Sequence, residues 1–437
     1  AAWTMLWPDC RGLRRPFGKA LMPELNSASE KDLDAWLTYI DQQHAASIEM
    51  GLERFTQVLN SLNLQQPAPV VITVAGTNGK GSTVRVMESL LLQTGKRVGA
   101  TLSPHIWRFN ERIRINGADA SDRDICAAFT AIDRCRGDTP LTYFEFGALA
   151  ALYCMAAAEV DVAILEIGLG GRLDAFNAVD ADVAVITSIG LDHQAFLGDT
   201  REAIGFEKAG ILRPGQRVVL GQDMPVTVDQ QCQALGVEPL RWGQAFSSDD
   251  SGDGQHWRYQ RAGEAPITVQ FSQLAPHNIA LACEAVAPWV RIDAKAIHGC
   301  SDQQMPGRMD IRQHDQRVWV HDVCHNPHGA EFFMAELARR GITPDFFICA
   351  MLAGKDHKGF YDAVNAATES PVPWLFVAST GERGLAGSVL AQNVGQPDRV
   401  ARSMAHARQL ALEQTHLGES IVVFGSFSAV EQCPWLA

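Results

Sequence analysis

The sequence predicts an α/β protein in two parts: an N-terminal parallel-sheet domain of the P-loop type and a smaller, Rossmann-like C-terminal α/β domain. Three observations predict it. Short apolar runs alternate with stretches of helical spacing, the pattern that builds parallel sheets. The first run, "PAPVVITVAG", delivers the chain into a glycine loop, "GTNGKGST", that opens a helix. A second series of runs starts beyond "HGCSDQQMPGR", residues 298–308. A chain of 437 residues is also too long for one ordinary core. The expected boundaries are 22–300 and 301–437.

The elements follow in order. "SASEKDLDAWLTYI" carries a capping-box pattern from Ser27 to Glu30, then Leu33, Trp36, Leu37 and Ile40 at helical spacing. It is the main helix expected before the glycine loop. After the loop, Val84, Met87, Leu90 and Leu91 share a helix face and Gly95 is its stop signal. "RVGATLSPH", "VDVAILEIGLGG" and "ADVAVITSIGLDH" read as strands running into Ser103 and His105, Glu166, and Asp192 with His193. In parallel sheets ligands gather at such carboxyl ends. Residues 240–265 are polar and glycine-rich and read as a hairpin or loop insertion. "RVWVHDV", "DFFICAML", "PWLFVAS" and "SIVVFGS" are strands of the second domain, with "GAEFFMAELARRG" a helix between the first two.

Composition narrows the function. Hydrophobic residues make up 46% and charged residues 20%, a globular balance. The formal charge, 37 − 50 = −13, argues against a general nucleic-acid binder. It leaves anionic small ligands open, because a helix N-terminus and one lysine bind phosphate locally. Ten cysteines include no C-x-x-C pair and read as thiols in a reducing cytosol. No apolar run reaches the roughly 18 residues that span a membrane. A cytoplasmic protein without membrane partners is the expectation. The first 21 residues contain arginines without a following apolar stretch, unlike a secretory signal. They read as an extension upstream of a natural start at Met22, which peptides found before Met22 would refute.

The glycine loop departs from G-x-x-x-x-G-K-[ST]: its glycines are closer together, and Gly81 separates Lys80 from the hydroxyls of Ser82 and Thr83. A strand before it and a helix after it favour phosphate binding over a plain tight turn. Beside such a loop, Glu166 reads as a hard oxygen ligand for Mg²⁺. Taken alone, Ser103 is a turn starter, His193 a structural histidine and Lys208 a solvated helix lysine. "HDVCHNPHG" places His321, His325 and His328 at i, i+4 and i+7, but Pro327 breaks any helix there. A strand-to-helix turn, with Asp322 and His325 as ligand contacts across a cleft, fits better than a zinc face.

Nine motifs occur in a family-specific order: "VAGTNGKGST", "SPH", "NERIRING", "LTYFEFGALAAL", "ILEIGLGGRLDAFN", "ITSIGLDH", "GFEKAGI", "PGRMDI" and "DVCHNPHGA". From about residue 30 to 430 the chain resembles the folylpolyglutamate synthase/dihydrofolate synthase family of the Mur-ligase superfamily. The altered glycine loop is that superfamily's own variant. The resemblance implies an ATP-dependent amide ligase, forming dihydrofolate from dihydropteroate and L-glutamate and extending reduced folates through an acyl phosphate. Alternatives are a monofunctional folylpolyglutamate synthase or a peptidoglycan-precursor ligase.

The resemblance assigns Thr77, Asn78, Gly79, Lys80, Asn278, Arg308 and Asp322 to ATP, and Ser103, Glu166 and His193 to Mg²⁺. It makes Lys208 a carbamylated lysine aiding a second Mg²⁺. It assigns Thr142, Tyr143, Phe144, Glu145, Leu173, Asp174 and Ala175 to the pterin, with Glu49, Met50, Gly51 and Leu52 as a further contacting loop. His325 is the candidate glutamate contact, and a monomer is expected.

Overall fold

A computed structural model describes residues 31–43, 49–301, 305–381, 383–433 and 435. Residues 1–21 and the Ser27–Glu30 pair lie outside them. The first described helix, Leu33–Asp41, is capped by Asp32, whose Oδ1 accepts from Ala35 N at 2.8 Å. A second helix, Glu53–Ser61, also precedes the glycine loop, where the sequence suggested mainly one. Phe55, Val58 and Leu59 bury its inner face, a stripe short enough to be overlooked beside six polar positions.

The larger sheet contains β1 (Val70–Ala75), β2 (Val98–Thr101), β3 (Ile113–Ile115), β4 (Ala118–Asp119), β5 (Val162–Glu166), β6 (Val183–Ile186), β7 (Arg217–Leu220) and β8 (Leu240–Arg241). Their order is β4-β3-β2-β5-β1-β6-β7-β8, parallel except at β2/β3 and β3/β4. Both faces are buried, so the strands read as continuous apolar runs. Alternate residues diverge nonetheless. Val71, Ala163, Leu165, Ala184 and Ile186 enter one core, and Ile72, Val74, Ile164, Val183 and Val185 the other. Full burial of each Val, Leu or Ile among them contributes roughly 1.5–3 kcal/mol.

The polar insertion folds as an antiparallel sheet of β9 (Phe246–Asp250), β10 (His256–Arg261) and β11 (Ile267–Gln270), one strand more than a hairpin. Trp257 and Tyr259 point into the core and Arg258 outward, the two-residue period of a half-buried strand. The second domain contains β12 (Asp310–His314), β13 (Arg317–His321), β14 (Phe346–Cys349), β15 (Trp374–Phe376) and β16 (Ser420–Phe424), ordered β12-β13-β16-β14-β15. Only β12/β13 is antiparallel.

Topology fixes where a ligand can bind. From β1 the chain passes over β5 to reach β2, and β5 later connects across β1 to β6. The strand order therefore diverges on either side of β1. A crevice opens at its carboxyl end, the general ligand position of doubly wound sheets. The glycine loop leaves β1 at that point.

Candidate active site

The loop runs from Gly76 to Gly79 and the helix Lys80–Leu92 starts at Lys80. Two glycines are required by space and conformation. Gly76 has φ +152, and a Cβ there would lie 1.8 Å from Thr187 Oγ1. Gly79 has φ +84, and a Cβ there would meet Asn278 Oδ1 at 2.4 Å. The segment after β6 stitches the loop in place. Thr77 N donates to Ser188 O (2.8 Å), Asn78 N to Ser188 Oγ (3.0 Å) and Thr187 Oγ1 to Asn78 O (2.6 Å). The Thr77 hydroxyl is itself bound to Gly190, donating to its carbonyl at 3.1 Å. The helix N-terminus and its free N–H groups thus face a rigid anion seat.

Two lysines converge on it. Lys80 Nζ donates to the carbonyls of Gly76 (3.0 Å) and Thr77 (3.3 Å). Lys208 Nζ, from the helix Arg201–Ala209, donates to the same Gly76 carbonyl at 2.9 Å. Lys208 is buried, not solvated as its helical position suggested. Burial, with the charge of Lys80 next, pushes its pKa down to about 7. Burial also pushes Lys80 below its ordinary value, opposed by Glu166.

Glu166 ends β5 buried, its Oε2 accepting from Ser103 N at 2.9 Å. Burial raises its carboxyl above the ordinary range, with Lys80 opposing. A divalent cation would relieve that cost. Glu166, Ser103 and His193 line one cavity of about 100 Å³ with the loop, Lys80, Lys208, Arg308 and His325. The carboxylate and hydroxyl donors suit Mg²⁺ or Mn²⁺, while the His193 imidazole is an unusual partner for Mg²⁺. Among the described residues no three His, Cys, Asp or Glu side chains are placed to hold a metal ion by themselves. A cation held there must complete its shell from the hydroxyl, nucleotide phosphates and water.

A larger cavity of about 270 Å³ adjoins it. Ser103, Pro104, Gly168, Leu169, His193, His325 and Phe427 line both, so the two are contiguous. Glu49, Met50, Gly51, Thr142, Phe144, Glu145, Leu173, Asp174 and Ala175 form walls of the larger one. Thr142 and Glu145 also make the capping box of the helix Tyr143–Ala157, and Arg54 ties Glu145 to Glu49. Asp174 accepts from the backbone N–H groups of Gly168, Leu169 and Phe176, and burial lifts its pKa to about 6.

Four expected contacts lie off both linings. Leu52 is the N-cap of Glu53–Ser61. The Tyr143 ring packs edge-on against Phe109 at 5.9 Å. Asn278 supports Gly79 from behind. Asp322 is buried, accepting from Met309 N and Cys324 N at 2.8 Å each.

The histidine motif forms the turn its proline suggested, with β13 ending at His321 and the helix Pro327–Arg339 capped by Asn326. Its three histidines go separate ways. His321 is buried near Asp310 O, His325 Nε2 lies 3.1 Å from Asp192 Oδ2, and His328 Nδ1 lies 3.1 Å from Asn78 Nδ2. Asp192 is a site residue the strand-end reading passed over in favour of His193, and Lys355 had no signal in the sequence. Lys355 Nζ sits 2.5 Å from Asp192 Oδ1, both side chains 8% exposed. Burial pushes the Asp192 carboxyl up, but His325 and Lys355 outweigh it and hold it far below the ordinary range. Asp192→Asn leaves Lys355 buried and unpaired, so thermal unfolding should show a loss of about 3–5 kcal/mol. The double variant Asp192→Asn/Lys355→Met should recover most of it. A double variant melting no higher than the single would show that the pair does not hold the domains.

The chain's similarities agree with this geometry. Residues 74–238 match the Mur ligase middle domain. The dihydrofolate synthase/folylpolyglutamate synthase of Escherichia coli K12 is 37% identical over 408 residues, 91% of this chain and 94% of that protein. The structure of E. coli FolC in complex with DHPP and ADP superposes with a TM-score of 0.85 at 35% identity, covering 93% of this chain and 97% of that one. A bifunctional folylpolyglutamate synthase/dihydrofolate synthase with Mn, AMPPNP and L-glutamate bound gives 0.84 at 37% identity, covering 93% and 98%. With a phosphate loop of this spacing, a half-buried and a buried lysine over it and relatives matched nearly end to end, the chain belongs to the dihydrofolate synthase/folylpolyglutamate synthase family of Mur ligases.

Proposed function

We infer that this protein is an ATP-dependent ligase that joins L-glutamate to dihydropteroate, forming dihydrofolate, and to reduced folates, forming polyglutamates. The observation that carries the reading is the contiguity of the two cavities. A phosphate seat with two lysines and a buried carboxylate opens into a chamber walled by Phe144, Leu173 and Asp174. A flat ring system can lie in the second while its carboxylate reaches the first.

The chemistry follows. A carboxylate oxygen attacks the γ-phosphorus, the bond to the β-phosphate oxygen breaks and ADP leaves. The glutamate amine attacks the acyl carbon, the C–O bond breaks, inorganic phosphate departs and the nitrogen loses a proton. Lys80 and the loop N–H groups hold the phosphates against their own repulsion. Ser103, Glu166 and His193 would hold Mg²⁺, and Lys208, once carbamylated, would aid a second ion; the metal would supply neutralisation of phosphate charge. Thr77, Asn78, Gly79 and Arg308 bind nucleotide, while Asn278 and Asp322 act from behind the cavity wall. His325, presented from the second domain beside Asp192, contacts glutamate.

Domains of residues 22–300 and 301–437 suit such a reaction, because the intermediate must be kept from water. No helix among the described residues is long and apolar enough to cross a membrane. We place the enzyme in the cytoplasm as a monomer. Purified protein with ATP, Mg²⁺ and labelled glutamate should incorporate label with 7,8-dihydropteroate and with a reduced folate in separate reactions. Incorporation with the folate alone would leave a monofunctional polyglutamylating enzyme. Incorporation with neither, beside an active control, would refute the substrate assignment.

A further inference from the structure

One polar group on the chamber wall has no task in this scheme. "NERIRING" places five polar side chains at the edge of the larger sheet, and four are consumed structurally, Asn116 by accepting from Val98 N at 2.9 Å. Asn110 donates to Ala120 O and Asp122. Glu111 accepts from the backbone N–H groups of Ile106, Trp107 and Arg108. Arg114 is paired with Glu88 and Asp119. Arg112 differs. Its Nε donates to His105 Nδ1 at 2.7 Å, and its guanidinium sits 5.6 Å from the Tyr143 ring centre. An imidazole accepting that hydrogen bond through Nδ1 carries no negative charge and is no counter-ion. Among the described residues, no carboxylate pairs with Arg112 and its two terminal nitrogens have no hydrogen-bond partner. A half-buried guanidinium left this way is costly unless a ligand anion completes it.

Its position says which anion. Arg112 lines the larger chamber but not the phosphate cavity. The reacting carboxylate must lie where the two meet, near Ser103 and His193. Arg112 therefore lies on the chamber side of that junction, where the body of the substrate would pass, although it is near enough to Glu166 to feel its charge. Dihydropteroate carries one carboxylate, which reacts. A folate carries a glutamyl tail, so when its terminal carboxylate reacts, an α-carboxylate is left behind in the chamber. The acids there cannot receive it: Glu49 and Glu145 already share Arg54. Of the other chamber cations, Lys355 is paired with Asp192, and Arg383 is exposed on the opposite, C-terminal wall.

We propose that Arg112 binds the α-carboxylate of the glutamyl tail and so determines whether the enzyme can extend folates as well as form them. The inference rests on the ligase reading above. It is tested by steady-state kinetics of Arg112→Gln and Arg112→Lys with 7,8-dihydropteroate, a reduced folate monoglutamate, and the same folate with a γ-aminobutyrate tail lacking the α-carboxylate. Arg112→Gln should raise KM for the monoglutamate about 10- to 100-fold, the scale of a lost charged hydrogen bond. The dihydropteroate and γ-aminobutyrate substrates should stay within about threefold of wild type on the same reasoning. Arg112→Lys should recover part of the loss. Equal losses on all three substrates at unchanged melting temperature would overturn the proposal, because Arg112 would then serve the reacting carboxylate. If Arg112→Gln misfolds, the same substrate ratio in Arg112→Lys decides. Wild-type protein inert towards all three would instead defeat the ligase reading itself.

Discussion

Lys80→Ala is expected to lower glutamate ligation by about 10³-fold or more, the scale on which a charge placed on a transferring phosphoryl group contributes. Three features set the size of the effect. The side chain is held in the loop by the Gly76 and Thr77 carbonyls, so its charge is aimed before substrate arrives. It is half-buried in the cavity, where an ionic contact is worth more than in open water. Its other neighbours do not replace it: Lys208 shares the Gly76 carbonyl, and Arg308 stands over Phe427 at 5.3 Å. The fold should survive, since alanine suits a first helical turn and the cost of burying an ammonium is removed. Single-turnover formation of ADP in the presence of folate and glutamate measures the step, and a melting curve checks the fold. Lys80→Ala within tenfold of wild type, at equal ADP affinity, would show that the loop N–H groups and the metal alone carry the phosphoryl transfer.

The glycine loop could be read because its chemistry is local. Strand, loop and helix are consecutive in sequence, and both required glycines sit inside ten residues. The parallel strands were equally plain, since full burial leaves continuous apolar runs such as Val162–Leu165. The short strands β3 and β4 were not, because three- and two-residue strands carry no period. Lys208 shows the limit most clearly. A lysine in a nine-residue helix looks solvated until tertiary packing turns it onto Gly76, 132 positions away. Only the family resemblance pointed to it. Asp192 and Lys355 are 163 positions apart and meet only when the two domains do. Arg112 was visible in a quoted motif, yet nothing in the motif distinguishes it from Arg114. What separates them is that Arg114 finds Glu88 and Asp119 while Arg112 finds a neutral histidine.

Lys208→Met should be the second large loss, roughly 10²- to 10³-fold in rate, the scale of a few kcal/mol of metal-borne charge stabilisation. The unmodified amine must react first. With its pKa near 7, a substantial fraction is neutral at physiological pH, and only the neutral amine can attack CO₂. Attack forms an N–C bond, releases a proton and turns a cation into a carboxylate-like anion near the metal-binding cavity. Wild-type activity should therefore fall as pH drops below about 7, where the ammonium form persists, and should fall in CO₂-free buffer and return with bicarbonate. Lys208→Met should show neither response. Stability moves in a separate direction. In CO₂-free buffer the unfolded lysine binds its proton up to about 10.5, while the folded one releases it near 7. Between those values the unfolded state holds more protons, so wild-type stability rises with pH across that window. Lys208→Met should flatten this rise and melt no lower than wild type at pH 7. A wild-type enzyme indifferent to CO₂ would eliminate the carbamate. If the pH-dependent stability persisted as described, Lys208 would remain as a buried amine whose task is to hold the Gly76 carbonyl and, through it, the shape of the phosphate loop.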